Sequence, residues 1–440
     1  MLETIDTTKA PHHVRTEQAS SRLRIAYTIQ NVGLDLSQEV GDVVPVRNTL
    51  LGLQAAGHSV RVFELQGRYI AQINDVRQLD VTTAAPIGLT GKRPFLLTES
   101  AVRKVQGMLN LPYYAFFDSR RFYEACLHSL PEYDLCHEHN GLFSPAAALA
   151  CRKLKKPYVL TFSADPIFES ALVGRPLRGL HHYVAAKEAR FTYEQADQIL
   201  CVSNPAKKHL VEKWQVNPDK INVMPNGVDV ELFSRRYDTA AVRAEWGLGD
   251  APVISFVGGF QPWHGLENLV ESFAAILQDT PAARLLLVGD GPHRAALDAK
   301  IQECNVGHAT IITGLLPQER VPEMLSVADI AVIPYPQLPQ ELWFSPLKLY
   351  EYMAAGKAIV SSRAGQIAEV LENGRTGLLV ESGNIRELTS AVTSLIHNSA
   401  ERRRLGANAQ KQAIAHHSWR QYIRQLENIY MNAMIRGKKG

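Results

Sequence analysis

Short apolar segments alternate with segments of helix length along most of this chain, and this alternation constrains the fold more than any other feature. The apolar segments are rich in Val, Ile and Leu and most end in glycine, proline or small polar residues, which is typical of buried strands. Strands that alternate with helices predict parallel sheets. In the first half of the chain the segments are LRIAYTI (23–29), SVRVFEL (59–65), LCHEH (135–139), PYVLTFS (157–163), QILCVS (198–203) and KINVMPNG (220–227).

The same pattern restarts after a polar connection at 233–251. We therefore predict an α/β protein of two Rossmann-like, doubly wound domains, at 22–236 and 251–417, with ligands bound in the cleft between them. Residues 1–21 form a polar tail, and the amphipathic segment 418–440 is expected to pack back on the N-terminal domain. The second set of strands is VISFVGG (253–259), ARLLLVGDG (283–291), ATIITG (309–314), IAVIPY (330–335), KAIVSS (357–362) and TGLLV (376–380).

Composition excludes several classes of protein. The 47 basic and 44 acidic residues leave a net charge of +3, which gives no electrostatic case for nucleic acid as the main partner. No apolar run approaches the roughly 18 residues that span a bilayer, and the polar start of the chain is no secretory signal. The 5 cysteines are an odd number and contain no CxxC pair, which fits reduced thiols. We expect a cytoplasmic protein.

Four motifs occur in order along the chain: PNGVDVELF (225–233), LLLVGDGP (285–292), SPLKLYEYMAAGKAIV (345–360) and RAGQIAEVLENGRTGLLV (363–380). Together they make the chain resemble the family-4 retaining glycosyltransferases, in a variant with a Ser-Pro-Leu-Lys motif. That family has the GT-B fold, in which two Rossmann-like domains face each other across a cleft. The resemblance covers nearly the whole chain after the tail. It implies transfer of a sugar from a nucleotide-sugar donor on the C-terminal domain to an acceptor on the N-terminal domain, with no cofactor and no essential metal ion.

A nucleotide sugar carries a diphosphate, which backbone N–H groups at helix N-termini and nearby cations hold well. Two loops are suited to this task, GGFQPWHG (258–265) and FSPLK (344–348), because each joins a strand or loop to a helix. We expect the diphosphate to contact Lys348 and His264, the latter as a hydrogen-bond donor or, if its pKa is raised, as a cation. The resemblance implies that Glu351 binds the ribose hydroxyls. The remaining donor-side candidates are Gly258, Gly259, Leu315, Ser345, Pro346 and Leu347.

The chain departs from the family at three positions that are commonly charged. Relatives commonly carry an arginine directly after the first glycine of the first loop and a lysine just before its final glycine, where this chain has Gly259 and His264. Relatives also commonly carry two glutamates eight residues apart, and here the first of these positions is Trp343. Since Lys348 lies one turn before Glu351 on the same helical face, we expect it to supply the missing cation. The plainer alternative for the two residues is a surface ion pair.

On the acceptor side, HEHNG (137–141) follows a predicted strand and is expected to face the cleft. His137 and Asp165 are candidates for orienting the acceptor hydroxyl, and Asn140 and the loop residue Gly41 are further acceptor-side candidates. A retaining, front-side transfer needs little help from a base, because the departing phosphate can take the acceptor's proton. His137 and His139 share one face of the strand, but no third ligand is apparent, so no metal site is predicted.

We therefore predict a retaining, metal-independent glycosyltransferase in exopolysaccharide or other glycoconjugate synthesis. Its acceptor would be a carbohydrate, a lipid-linked molecule or a small molecule, and a weak peripheral contact with the inner membrane face stays open. One alternative is a nucleotide-sugar epimerase or a phosphorylase of the same fold. The other is a non-catalytic partner subunit, which Gly259 and Trp343 motivate because relatives carry charge there.

Overall fold

The computed structural model describes residues 22–30, 36, 43–78, 80–84, 86–108, 115–172, 174–338 and 343–437. The polar tail at 1–21 and the acceptor-side candidate Gly41 lie outside the described residues. Within the described part, two separate sheets are each flanked by helices, one in each half of the chain.

The N-terminal sheet has eight strands in the order β4-β3-β2-β1-β5-β6-β7-β8. The pairs from β2 across to β8 are parallel, whereas β3 runs antiparallel to both of its neighbours at one edge. The strands are β1 Arg24–Ile29, β2 Ser59–Gln66, β3 Tyr69–Ile73, β4 Val81–Ala84, β5 Leu135–His139, β6 Tyr158–Phe162, β7 Gln198–Cys201 and β8 Ile221–Val223.

The C-terminal sheet has six strands in the order β11-β10-β9-β12-β13-β14, and its pairs are parallel. In both sheets the strand order reverses direction beside the first strand, at β1 and at β9, which is where a doubly wound sheet opens a crevice for ligands. The strands are β9 Val253–Val257, β10 Arg284–Val288, β11 Thr310–Ile312, β12 Ile330–Ile333, β13 Ala358–Ser362 and β14 Leu378–Val380.

Helices cover the faces of both sheets. In chain order they are α1 Val43–Ala55, α2 Arg93–Met108, α3 Phe116–Ser129, α4 Ala146–Leu154, α5 Pro166–Leu172, α6 Gly179–Gln195, α7 Asn204–Glu212, α8 Val230–Phe233, α9 Thr239–Glu245, α10 Leu266–Asp279, α11 Arg294–Glu303, α12 Val321–Ser326, α13 Leu347–Ala354, α14 Ile367–Val370, α15 Ile385–His397, α16 Ser399–His416 and α17 Trp419–Gly437. Short 3₁₀ turns lie at Gly88–Gly91, Leu130–Glu132, Pro218–Lys220, Pro262–His264, Gly307–Ala309 and Gln318–Arg320. None of the helices in the described ranges is long and apolar enough to cross a membrane.

The predicted α/β class with two doubly wound sheets is confirmed, and every apolar segment predicted as a strand forms one. The edge strands β3 and β4 and the helices α2 and α3 were not predicted. The polar connection is also more ordered than expected, because it contains α9 and buries Val242 and Leu248 in the core of the C-terminal half.

Helix α17 returns to the N-terminal half and lies against α1, β6 and β7. Its residues Leu426 and Tyr430 are buried in the same apolar core as β1. Close approach to α1 depends on Gly52, since a Cβ there would lie 2.6 Å from Cγ1 of Ile423. The helix therefore fixes the C-terminal half of the chain to the N-terminal sheet.

Candidate active site

A cleft of about 1960 Å³ separates the two sheets. Single-ligand sites usually occupy about 300–1,000 Å³, so this cleft has room for two substrates side by side. Its N-terminal wall follows the carboxyl ends of β5 and β6, and its C-terminal wall follows β9, β10 and the start of α13. Of the predicted site residues, the cleft is lined by Asn140, Gly258, Gly259, His264, Leu315, Ser345, Pro346, Leu347, Lys348 and Glu351.

The glycine loop after β9 is shaped by its contact with Lys348. Gly258 has φ +136, a conformation that favours glycine. Its N–H donates to the carbonyl of Val288 at 2.9 Å. A Cβ on Gly258 would lie 3.0 Å from Nζ of Lys348, so glycine leaves the lysine its place at the cleft wall.

Lys348 lies in the first turn of α13 and is only 8% exposed. Its Nζ has no hydrogen-bond partner among the described residues, so the alternative of an ordinary surface ion pair does not hold. The ammonium lies 4.2 Å from the ring centroid of Phe256 and 5.9 Å from that of Tyr335. Burial lowers the pKa of Lys348 to about 7, although the charge of Glu351 opposes the shift. A buried cation without a partner is costly unless an anion joins it.

Glu351 follows one turn later on the same helix and also lines the cleft. Burial raises the pKa of Glu351 to about 7, and the charge of Lys348 partly offsets this rise. The two residues thus form a titratable pair near neutral pH. Such perturbed groups in a cleft are a physical mark of a functional site.

His264 was expected to contact the diphosphate as a hydrogen-bond donor or as a cation, and in the structure its ring is neutral. Its Nδ1 donates to the carbonyl of Gly259 at 2.5 Å, and its ring stacks on Tyr335 at 5.6 Å. Burial, together with the charge of Lys348, lowers the pKa of His264 to about 3. The raised pKa that a cationic His264 requires is therefore absent, and the ring is neutral in the ligand-free protein. Because Nδ1 carries the only ring proton, Nε2 has none to donate to a phosphate.

The other donor-side candidates lie where a backbone contact is possible. Pro346 precedes α13, which begins at Leu347. The side chain of Ser345 is occupied, since its Oγ accepts from the backbone N–H of Asn226 at 3.0 Å and donates to the hydroxyl of Tyr350 at 3.1 Å. Leu315 is exposed at the rim of the cleft.

Trp343 connects the two walls of the cleft. Its ring contacts those of His209 and Phe168 on the N-terminal side, at centroid distances of 4.1 and 4.8 Å. Its backbone carbonyl accepts from Oγ of Ser203 at 2.5 Å. The aromatic side chain of Trp343 thus forms a contact between the two domains.

His137 does not face the cleft, and its predicted role on the acceptor side is corrected. The side chain is fully buried. Nδ1 bonds the hydroxyl of Tyr430 at 2.7 Å, and Nε2 bonds Oγ1 of Thr161 at 2.6 Å. Burial lowers the pKa of His137 to about 3. With both ring nitrogens satisfied, His137 is a core residue that holds α17 to the sheet.

Asp165 is likewise turned away from the cleft, which corrects the second acceptor-side prediction. It is fully buried, and its Oδ2 accepts from His209 at 2.8 Å, Lys213 at 2.9 Å and Trp214 at 3.1 Å. Burial alone raises the pKa of Asp165, but the hydrogen bonds of His209 and Lys213 outweigh it and hold the pKa below its ordinary value. Oδ1 accepts from the N–H of Ile167 at 3.0 Å at the start of α5. Asp165 is therefore a structural anchor.

Asn140 lines the cleft, but its Nδ2 donates to the carbonyl of Ala164 at 3.3 Å.

His139 is a cleft residue that the sequence analysis considered only as a metal ligand. His139 lines the cleft beside Ser163. The described residues hold no group of three or more His, Cys, Asp or Glu side chains that could bind a metal ion. The signal for His139 was its place at the last position of a strand.

Two doubly wound domains with a buried, unpartnered cation in the cleft between them make this cleft a candidate site for an anionic ligand. Two family models match this chain. The model described as Glycosyltransferase Family 4 matches residues 43–232, and the model described as Glycosyl transferases group 1 matches residues 238–412. The chain belongs to the family-4 glycosyltransferases, whose fold is GT-B.

Individual relatives are distant. The chain is 29% identical over 314 residues to a D-inositol 3-phosphate glycosyltransferase of Nocardia farcinica, covering 69% of this chain and 67% of the relative. It is 26% identical to an N-acetyl-α-D-glucosaminyl L-malate synthase of Bacillus anthracis, and that match covers 57% of this chain and 64% of the relative, less than two thirds of its length. A crystal structure of Anabaena HepE in complex with UDP shares the fold with a TM-score of 0.65 and 16% identity, covering 92% of this chain and 99% of HepE.

Proposed function

We propose that this protein transfers a sugar from a nucleotide-sugar donor to an acceptor hydroxyl with retention of anomeric configuration, in the synthesis of exopolysaccharide or another glycoconjugate. The observation that carries the proposal is the buried ammonium of Lys348. It has no hydrogen-bond partner in the described residues and lies beside the glycine loop, in the first turn of α13. A diphosphate would supply the missing anion, and its growing charge as the sugar leaves would be stabilised there.

Other residues of the C-terminal wall would make the remaining contacts with the donor. The backbone of Gly259 and Ser345 would complete the diphosphate site, and the carboxylate of Glu351 would bind the ribose hydroxyls. Backbone near Leu315 at the rim would bind the base. HepE, which shares the fold, was crystallised with UDP, and this makes UDP the first nucleotide to test.

The proposed front-side transfer does not need Asp165 as a base on the N-terminal wall. Asp165, the carboxylate considered for this role, is bound to three donors and turned inward. The departing phosphate would then take the proton of the acceptor hydroxyl on the same face of the sugar. Lys348 would hold that phosphate in place while it does so.

We further propose that the reaction needs no divalent cation. The described residues offer no cluster of carboxylate, histidine or thiol ligands for one, and Lys348 can carry the neutralising charge itself. Turnover in excess EDTA should equal turnover in Mg²⁺. A loss of activity in EDTA that Mg²⁺ restores would contradict metal independence.

The experiment that tests the proposed function begins with a thermal-shift panel of UDP-, GDP- and ADP-sugars on the full chain. A nucleotide sugar at 100 times its dissociation constant adds about 2.7 kcal/mol of stability. The stabilising donor is then incubated with carbohydrate, lipid-linked and small-molecule acceptors, and NMR reads the anomeric configuration of the product. A product of inverted configuration would refute retention.

The same assay separates the alternative functions. Conversion of the donor without any acceptor indicates an epimerase, and a sugar 1-phosphate formed with free phosphate indicates a phosphorylase. Tight nucleotide binding without turnover over the whole panel indicates a non-catalytic partner subunit. Binding of a phosphate group by Lys348 is compatible with a transferase, an epimerase, a phosphorylase and a non-catalytic subunit. Product analysis therefore decides between these functions.

We also propose a cytoplasmic location with weak contact to an anionic membrane surface, through α2. Of this helix only Glu99 is buried, held by Arg121 at 2.8 Å. Leu97 is 70% exposed and Met108 is 76% exposed, and the exposed Lys104 lies on the same helical face. Sedimentation with phosphatidylglycerol vesicles should exceed that with phosphatidylcholine vesicles, and Met108→Gln should reduce it. Equal sedimentation with both vesicles would contradict the proposal.

A further inference from the structure

Two histidines on β5 have opposite surroundings. His137 and His139 are two residues apart and lie on the same face of the strand. Both ring nitrogens of His137 have partners within the protein. In His139, Nε2 lies 3.4 Å from Oγ of Ser163, whereas Nδ1 is buried and has no hydrogen-bond partner among the described residues.

His139 forms part of the cleft wall, and its Nδ1 is covered in the ligand-free protein. His139 is the last residue of β5 and pairs with Thr161 of β6, so it lies at the carboxyl edge of the sheet. The side chain is 7% exposed, and the residue lines the cleft together with Thr161 and Ser163. A buried polar atom without a partner is destabilising, and each such atom in a folded protein calls for an explanation.

The chemistry of the ring indicates what binds there. Burial lowers the pKa of His139 to about 4, so the imidazole is neutral and offers no charge to an anion. If the Ser163 hydroxyl donates to Nε2, then Nδ1 carries the proton and donates to the ligand; in the other tautomer Nδ1 accepts. A hydroxyl group can satisfy both tautomers, because it both donates and accepts.

We propose that His139 is the acceptor-binding residue of the N-terminal wall, with Nδ1 bonded to a hydroxyl of a neutral, polyol-like part of the acceptor and Ser163 orienting the ring. The inference rests on the proposed function for the identity of the second substrate. It replaces His137 and Asp165, whose polar atoms are already used inside the fold. It also assigns the recognised group to the class of uncharged hydroxyls and not to phosphates.

The test is an NMR titration of the full chain with ¹⁵N-labelled histidine rings. The neutral probes are myo-inositol and methyl α-D-glucopyranoside, and the anionic probe is inorganic phosphate, each added with and without UDP. The spectrum of His139→Gln assigns the His139 signals. His137 is an internal control in the same strand, since its ring is fully bonded and does not reach the cleft.

We expect at least one polyol to shift the ¹⁵N signals of His139 in a saturable way while those of His137 stay in place. His139→Gln should weaken the affinity for that polyol at least tenfold, and Ser163→Ala should weaken it by a smaller factor. Both variants should keep the wild-type affinity for UDP. Thermal denaturation should show the His139→Gln protein to be folded, because the atom it removes has no partner in the ligand-free state.

Three results would overturn the inference: no polyol shifts His139, a polyol binds His139→Gln as tightly as the wild type, or phosphate alone shifts the ring. UDP binding is read separately in the same samples and reports on the proposed function. A polyol that shifts His139 in a protein with no affinity for any nucleotide sugar of the panel would support the inference and refute the nucleotide-sugar assignment.

Discussion

Lys348 on the C-terminal wall of the cleft and Asp165 behind the N-terminal wall are both buried ionisable residues, but their surroundings differ. Asp165 accepts three hydrogen bonds on a single oxygen, two of them from His209 and Lys213. Lys348 has no hydrogen-bond partner in the described residues, and burial lowers its pKa to about 7. Removing the partners of a buried charge is strongly destabilising, and a buried charge that has no partner lowers the stability of the empty protein.

The largest effect is expected from Lys348→Met. If Lys348 binds the diphosphate, kcat/KM for the donor should fall by about 10²–10³-fold, the usual loss when one oxyanion donor is removed. The ligand-free variant should at the same time unfold at a higher temperature, because an unpartnered buried charge has been replaced by an apolar side chain. Steady-state kinetics and thermal denaturation measure the two effects.

Lys357→Met is the matched control for this variant. Lys357 lies just beyond the same helix, and its Nζ donates to the carbonyls of Ser326 at 2.8 Å and Ala328 at 3.0 Å. Its removal should lower stability and leave donor affinity unchanged, the reverse of Lys348→Met. Unchanged donor affinity in Lys348→Met would refute the assigned role of the lysine.

The second largest effect is expected from Asp165→Asn, and it concerns stability. Removing hydrogen bonds to a buried carboxylate, one of them from Lys213 with its side chain 47% exposed, costs about 1.5–3 kcal/mol. The pKa of Asp165 is lowered in the folded state, so its stabilisation is present above the unfolded pKa of about 3.9 and is lost as the pH falls. The variant should therefore unfold more easily at neutral pH and depend less on acidification, which urea titrations at several pH values measure.

Asp134→Asn is the control for Asp165. Asp134 pairs with Arg24 at 2.9 Å, but its side chain is 31% exposed, so its loss should cost less than about 1 kcal/mol. The folded fraction of Asp165→Asn should keep its activity to within a few-fold. If folded Asp165→Asn protein lost as much activity as Lys348→Met, Asp165 would have a role in the reaction and would not be only a structural anchor.

The two walls also differ in how far the sequence could predict them. The strands followed from periodicity, because parallel strands are apolar runs of defined length. Lys348 and Glu351 could be placed because their motif lies on one short helix, where spacing fixes the face. The positions of the side chains on and behind the N-terminal wall depend on contacts between segments that are distant in sequence. That Tyr430 binds His137, and that His209, Lys213 and Trp214 converge on Asp165, is not encoded in any local spacing.

The edge strands and the charge of His264 were missed for similar reasons. β3 and β4 are short and antiparallel, and β4 reads VTTA, which lacks the long apolar run of a central strand. His264 has an unremarkable sequence context, and only the nearby Lys348 and the burial of its ring show that it stays neutral. Burial is a tertiary property, so a pKa shift cannot be read from spacing.

A third prediction concerns the pH dependence of nucleotide affinity. Phosphate binds the protonated form of Lys348, whose pKa in the ligand-free protein is lowered to about 7. UDP affinity should therefore fall as the pH rises above 7, by at most tenfold per pH unit. Lys348→Arg should flatten this profile, because arginine stays protonated throughout the range. Calorimetric titration of UDP at pH 6 to 9 would measure it, and identical profiles for both proteins would contradict the pKa assignment.

The lowered pKa of Lys348 also makes the unfolding free energy of the ligand-free protein depend on pH. An unfolded lysine keeps its proton up to a pKa of about 10.4, whereas folded Lys348 loses it near 7. The unfolded state thus binds more protons between these values, and the contribution of Lys348 to stability rises with pH across that window. Glu351 acts in the opposite direction below pH 7, since its raised pKa lets the folded state bind more protons than the unfolded state. The difference between wild type and Lys348→Met in unfolding free energy should therefore shrink from pH 7 to pH 10.

The smallest effect is expected from His264→Gln, which tests whether this residue acts through shape and not through charge. His264 donates to the carbonyl of Gly259 and stacks on Tyr335. A glutamine can keep the donation but not the stacking, so the glycine loop should loosen and donor kcat/KM should fall by less than about tenfold. The pH profile of UDP affinity should be unchanged, since Lys348 sets it. His293→Gln, which removes a hydrogen bond to Glu267 outside the cleft, is the control and should leave donor kcat/KM unchanged. A loss in His264→Gln as large as that in Lys348→Met would mean that the bound diphosphate charges His264, and the C-terminal wall would then hold its ligand with two cations.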